Sequence, residues 1–436
     1  MTSMPALDVH LENYRRLNGA GPATVAALRE RGLRRFTEFG FPTTRLEEWR
    51  FTDVARIAQR PFALSEPTGD AEATAEAAAR RLQIPGAIEV VFVNGHYAPA
   101  LSSPMLEMPA YAGSLAAALR TQPELIEPHL GRYAEFEQPA ASLTALNTAF
   151  ISDGAFVYVP IGMQLREPIH CLFISVAGGM PAVAHPRNLI VLGEGGAATV
   201  IEHYAGAGEY WTNAVTEAVV GAGASLVHQK VQREAAEAFH VATLAVEQAG
   251  ESRFSSHVVS LGATLARGEI GTRLDASGAA CTFDGLYLAT GTQHVDHHTT
   301  IDHRQPRGTS RELYKGILDG RAAGVFNGKV YVRPHAQQSD AQQMNKNLLL
   351  SDDATIDTKP QLEIFADDVK CSHGATIGQL DEDAIFYLRA RGVDAAAARE
   401  MLIVAFANEL IDRVTVAPLR EQLTNEISTR LRGGTT

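Results

Sequence analysis

The sequence predicts a mainly β protein. Its core is a parallel β-helix, one chain coiling as a single-stranded solenoid, flanked by N- and C-terminal α-helical regions. Three observations carry this. From about Phe150 onward, strand-length runs rich in Val, Ile, Leu, Thr and Phe follow one another for about 200 residues without a helical pattern, which excludes an alternating α/β fold. Within that stretch, glycines open small-plus-apolar segments at Gly196, Gly223, Gly250 and Gly278, spaced 27, 27 and 28 residues apart. A fixed period of this size marks stacked repeats, and short strands with Gly and Asn turns suit a coil of several strands per turn. Both ends of the chain are rich in helix formers. On the residues alone the alternative is a sandwich, with the spacing arising by chance in a chain of 37 glycines.

Three regions follow, with boundaries at 1–145, 146–378 and 379–436. The first is mostly helical: LENYRRL, ATVAALRERGLRRFTEFG and DAEATAEAAARRLQ are built from Ala, Leu, Glu and Arg. A short strand pair, AIEVVFVNGHY, turns at Asn94-Gly95. SLAAALRTQPELIEPHL then returns to helix. The second region is the β-helix. The third is helical again, and a solenoid's open ends need capping, which the two helical regions are placed to supply. Met401 to Ala407 is apolar all round, so that helix is buried on several sides or forms an interface. Pro418 opens the last helix, whose Leu419, Leu423, Ile427 and Leu431 form one apolar stripe.

Composition narrows the function classes. The chain has 436 residues, 45% hydrophobic and 20% charged, an ordinary globular balance. Its net charge of −12 disfavours nucleic acid and anionic lipid as partners. No apolar run is long enough to suggest a membrane span, and the N-terminus has no signal-peptide pattern. Three cysteines, Cys171, Cys281 and Cys371, are too few for a disulfide framework, so a reducing cytoplasm is expected.

Few stretches carry chemistry. GEGGAA (193–198) matches a dinucleotide fingerprint in outline, but β-branched residues follow where a helix is required, so it reads as a strand-to-strand turn. The chain has no P-loop and no Gly-x-Ser-x-Gly elbow. HVDHHTTIDH (294–303), read as a strand, places His294, Asp296 and His298 on one face, a two-His-one-carboxylate arrangement that fits a metal; His297 and His303 take the other face. The competing reading is a polar strand, solvent-facing or at an interface, with imidazoles bonded to carboxylates. In ADDVKCSHGATIGQLDED (366–383), Cys371 and His373 share a strand face. A thiolate and an imidazole together suit a soft metal or an iron–sulfur species, but two ligands do not complete a site. A buried structural cysteine is the plain alternative, and a nucleophile would need a base that is not found locally. Cys171 and Cys281 sit in apolar runs and read as core. YVRPHAQQSDAQQMNKNLLLSDDATIDTKPQLEIFADD is rich in Asn, Gln and Asp, either coil turns satisfied by amides or a polar loop.

Taken together, GFPTTRLEEWRFTDV (40–54), QHVDHHTTIDH and the long block from Arg311 to Gly392 resemble the SufB/SufD family of iron–sulfur cluster assembly proteins, and its SufD branch in particular. The resemblance runs from about residue 30 to the C-terminus. It implies a right-handed β-helix between helical regions. It also implies a non-catalytic scaffold subunit that pairs with a SufB-like paralogue and binds a SufC-like ABC ATPase through its C-terminal helices, with no nucleotide on this chain. By the same resemblance, His373 and Cys371 lie at the partner interface, where a transient Fe-S cluster is handled, His373 being the stronger candidate. A homodimer is a further pairing open to the isolated chain. The competing function is a metal-dependent or carbohydrate-active β-helix enzyme using His294, Asp296 and His298.

Overall fold

The structure is a computed structural model that describes residues 5–17, 22–66, 69–104, 106 and 109–433. Its helices are α1 (Pro5–Arg16), α2 (Ala23–Phe39), α3 (Ala55–Ala58), α4 (Gly69–Leu82), α5 (Leu115–Thr121), α6 (Ser142–Ala149), α7 (Glu382–Ala390), α8 (Ala395–Ile411) and α9 (Ala417–Gly433). The early strands are β1 (Ala63–Leu64), β2 (Ile88–Val93), β3 (His96–Tyr97), β4 (Tyr111–Ser114), β5 (Ala155–Val159), β6 (Ile169–Val176), β7 (Ala182–Ala184) and β8 (Arg187–Leu192). The coil continues through β9 (Ala197–Ala207), β10 (Tyr210–Val220), β11 (Ser225–Arg233), β12 (Phe239–Gln248), β13 (Arg253–Ser260), β14 (Leu265–Leu274) and β15 (Ala280–Ala289). It ends with β16 (His294–His303), β17 (Thr309–Leu318), β18 (Ala323–Val332), β19 (Asp340–Leu349), β20 (Thr355–Ile364) and β21 (Lys370–Gly378).

From β8 on, even and odd strands separate into two facing sheets, each strand pairing in parallel with the one two positions along. The result is a β-solenoid of about eight turns with two long strands per turn, so the predicted β-helix is present and the sandwich is not. The first coils also draw on the N-terminal region: β2 pairs with β6, and β4 pairs with β5. The hairpin at Asn94-Gly95 forms, with φ 52° and 81°, the left-handed pair a tight two-residue turn requires.

The glycine period has a backbone cause. At one corner of successive coils stand Gly195, Gly223, Glu251, Gly278, Arg307 and Gln338, all with positive φ. Each donates its amide to a carbonyl of the next coil, from Gly195 to Ala222 at 2.8 Å through Gln338 to Asp368 at 2.6 Å. The left-handed corner is what repeats. Glycine serves it without steric cost at three of the six positions, and three other side chains tolerate it where the corner is over-determined by its neighbours.

Side chains alternate between the lumen and the two outer faces. The lumen core runs through Val200, Leu226, Phe254, Cys281, Phe283 and Val330, with Cys171 and Cys281 buried in it as expected. The outer faces are covered by the helices. Phe36, Trp49, Ile57 and Phe62 pack with Trp211, Phe239 and Leu265 on the even-strand sheet. Ile403, Leu410, Leu419, Leu423 and Ile427 pack with Val231, Leu286 and Leu313 on the odd-strand sheet. The helical regions therefore clad the flanks of the solenoid and leave its last coil uncapped. The apolar stripe of α9 buries Leu419, Leu423 and Ile427 and half-buries Leu431, while α8 buries Ile403 and Ala407 and leaves Met401 exposed.

Candidate functional site

The histidine-rich strand β16 meets the Trp49 segment. Its outward face carries His294, Asp296 and His298, brought together as the alternation requires, but they surround a guanidinium. Arg267, one coil back on β14, pairs with Asp296 and lies 3.1 Å from His298 Nε2. It also donates to Glu269 at 2.7 Å and stacks 3.8 Å over the Trp49 ring. Thr52 completes the junction, donating to Asp296 Oδ2 at 2.5 Å and contacting His294 Nε2 at 2.9 Å. Burial alone would raise the Asp296 carboxyl; Arg267 and His298 reverse this and hold it far below its ordinary value. A cation is thus already supplied by the chain, and no cluster of three or more His, Cys, Asp or Glu suited to a metal exists among the described residues. The metal-enzyme reading of this trio gives way to a structural one: it anchors the N-terminal region to the solenoid. His297 and His303 point inward. His297 sits between the rings of Tyr287 and Tyr314 and is pushed down to about 3 by burial. His303 meets Ser310 Oγ at 2.9 Å.

Cys371 and His373 stand at the other distinctive place, the uncapped end. Strand β21 pairs with β19 on one side only, setting Cys371 beside Ala341 and His373 beside Gln343. Ala341 and Gln343 are buried lumen residues, so both candidates continue lumen columns onto the final coil. One strand face puts them about 6.5 Å apart by strand rise. Cys371 is half-buried against the lumen core and His373 is exposed. Burial raises the Cys371 thiol above its ordinary value, a backbone contact from Ala341 works against it, and Asp340 adds to it, so at neutral pH the sulfur keeps its proton. That setting opposes a poised nucleophile and leaves a soft donor whose proton a metal would displace.

Behind His373 a polar column enters the lumen. Gln343 Nε2 donates to Glu312 Oε2 at 2.7 Å, and burial pushes the Glu312 carboxyl up to about 7. Next to it, Asn345 donates to the Tyr314 carbonyl at 3.2 Å, and Asn347 donates to Asn345 Oδ1 at 2.6 Å while accepting from the Tyr287 hydroxyl at 2.5 Å. The Asn/Gln-rich stretch is therefore strand β19, its amides facing inward. The final coil also exposes Ile364, Phe365 and Ile377, apolar surface beside unpaired backbone.

Sequence reasoning passed over Arg267, whose strand LARGEIGTRL shows no motif. A signal was available in the spacing, an Arg two residues before a Glu and so on the same strand face. GEGGAA joins β8 to β9 directly, as a strand-to-strand turn.

Fold and site together define a helix-clad β-solenoid protein that ends in an uncapped coil carrying a thiol and an imidazole. Two family descriptions match nearly the whole chain: "SUF system FeS cluster assembly, SufBD core domain" over residues 173–406 and "SufBD protein N-terminal region" over residues 6–171. The chain is 32% identical to the iron–sulfur cluster assembly protein SufD of Escherichia coli, in an alignment of 438 positions that covers 100% of each chain. It is 36% identical over 403 residues to a SufBD family protein of Synechocystis, covering 89% of this chain and 87% of that one. Over 427 residues it is 23% identical to the SufD of Bacillus subtilis, covering 94% and 95%. The chain belongs to the SufBD family of iron–sulfur cluster assembly proteins. No described helix is long and apolar enough to cross a membrane.

Proposed function

We propose that this chain is a non-catalytic, cytoplasmic scaffold subunit. It pairs with a SufB-like paralogue through its final coils, binds a SufC-like ABC ATPase through its C-terminal helices, and presents His373 and Cys371 to an iron–sulfur cluster that is cargo of the assembly. The observation that carries this reading is strand β21, paired on one side only, with the two donors on its lumen-side face. Two donors are half or fewer of those a cluster takes, so a second chain supplies the remainder. The partner ATPase brings nucleotide hydrolysis, in keeping with a sequence that has no P-loop.

The test is co-expression with a SufB-like chain and an ABC ATPase. A stable ternary complex is expected, with no ATP hydrolysis by the isolated chain. His373→Ala should leave the complex intact and lower cluster absorbance during anaerobic assembly. Robust ATPase activity in the isolated chain, or absorbance unchanged by His373→Ala, rejects the respective part of the reading.

A further inference from the structure

Between α4 and the outer face of the odd-strand sheet lies a cleft of about 330 Å³, within the size range of small-ligand sites. Its walls are mostly small and apolar, with Ala77 and Ala78 from α4 and Ile174, Ala205 and Ala207 from the sheet. Two arginines break that character. Arg81 enters from the last turn of α4, and Arg233 from the end of β11.

Their bonding is incomplete. The Arg233 side chain is only 10% exposed, and its Nη1 pairs with Glu426 Oε2 at 2.9 Å. Its Nε and Nη2 are buried and meet no acceptor among the described residues. Glu426 is also shared with Arg430. Arg81 is exposed and makes no ion pair or hydrogen bond among the described residues. One carboxylate, Glu426, is therefore shared by two guanidinium groups, and Arg81 adds a third positive charge close enough to repel Arg233. The Arg233 guanidinium is held below its ordinary value by burial first, with Arg430 and Arg81 repelling it further. Buried charged donors without acceptors are costly, and an anion removes that cost.

We propose that this cleft binds a small organic anion, its carboxylate or phosphate head held by Arg81 and Arg233 and its body against Ala77, Ala78 and Ala207. Phosphate and carboxylate share the geometry the guanidinium fork matches. The site lies on the flank of the solenoid, away from the final coil, and stands or falls separately from the scaffold reading.

Calorimetric titration of the full chain with inorganic phosphate and, separately, with acetate at constant ionic strength tests it. Saturable one-site binding of either anion is expected, weakened at least tenfold by Arg81→Gln, whose exposed side chain leaves folding untouched. Arg233→Gln should abolish it. Because that variant also loses the Glu426 pair, its folding is checked by thermal melting, and Arg233→Lys serves as a second variant with weakened binding. Preference for phosphate assigns the site to phosphate compounds, and preference for acetate to carboxylates. Absence of saturable binding of both anions, or binding that Arg81→Gln leaves unchanged, overturns the proposal.

Discussion

Replacing Arg267 with Met removes the cation from a junction in which Asp296 is fully buried and Arg267 is 1% exposed. Met is close in length and apolar, so the change leaves the shape nearly filled and strips the charge. Asp296 then keeps only His298 at 3.1 Å and Thr52 as partners. Removing one member of a buried pair costs about 3–5 kcal/mol, because the other charge stays behind unpaired. The Trp49 ring also loses the guanidinium stacked on it, which adds about 1 kcal/mol. The cost depends on pH in a definite direction. In the parent, Asp296 is held below its ordinary value, so its stabilisation is present above about pH 4 and fades only as pH falls through the folded value. In the variant, burial acts without Arg267 and raises the carboxyl, so the unfolded chain ionises first and stability falls as pH rises from about 4. The gap between parent and variant should therefore be widest at pH 7 and narrow toward pH 4. Urea denaturation at several pH values, followed by fluorescence of Trp49 and Trp211, measures it. The double variant Arg267→Met/Asp296→Leu should recover most of the loss. A variant within about 0.5 kcal/mol of the parent at pH 7 would refute the reasoning, as would a gap that widens in acid. A parent midpoint lowered by chelator would return the trio to metal binding.

Trp49→Ala should cost about 3–5 kcal/mol, since the ring is buried and its indole N–H donates to the Ala140 carbonyl at 2.8 Å; a midpoint unmoved in the same assay would contradict that packing. Glu312→Gln should stabilise the protein at pH 8 by about 3 kcal/mol and have little effect near pH 4.5. The unfolded carboxyl ionises near 4.5 and the folded one near 7, so the parent loses stability across that window and the variant does not. Equal effects at both pH values would show that Glu312 stays ionised. Iodoacetamide should label Cys371 slowly at pH 7 and faster as pH rises past 9, while Cys171 and Cys281 stay unlabelled until denaturation. Rapid labelling at pH 7 would mean an activated thiol. Gly316→Ala should destabilise by about 1–3 kcal/mol, because its Cβ would collide with the Tyr287 ring from the adjacent coil; a neutral result would place a void there.

The β-helix was legible because its corners demand left-handed backbone, and glycine answers that demand often enough to print a period. The phase was legible only in part. Gly196, Gly250 and Gly308 flank the left-handed residues Gly195, Glu251 and Arg307, and at Gln338 no glycine marks the corner. Strand β19 escaped as a strand because Gln343, Asn345 and Asn347 face the lumen, so the apolar alternation that identifies strands is absent where amides bond one another inside the coil. His294, Asp296 and His298 were placed correctly on one face, since alternation is local. Their partner was not, since Arg267 lies a full coil earlier and Trp49 over two hundred residues earlier. A period of two reveals which side chains share a face, and only the fold reveals what fills the space between them.

The last coil has two free edges, and they are not equivalent. Strand β20 carries Pro360, which removes a backbone donor, and Lys359, which pairs with Glu47 beside the Trp49 segment. A proline and an ion-paired lysine are the devices by which natural sheets discourage edge pairing. Strand β21 carries neither within its Cys-Ser-His-Gly-Ala-Thr run, where small residues leave the backbone open to an approaching strand. A sheet edge that is unprotected from Cys371 to Gly378, with Ile377 exposed on it, is stable in isolation only while no complementary strand is present. The two donors sit on that edge. Any chain that paired with β21 would be brought within reach of Cys371 and His373 by the same hydrogen-bond ladder, so in the proposed scaffold the assembly of the partner and the completion of the ligand set are one event.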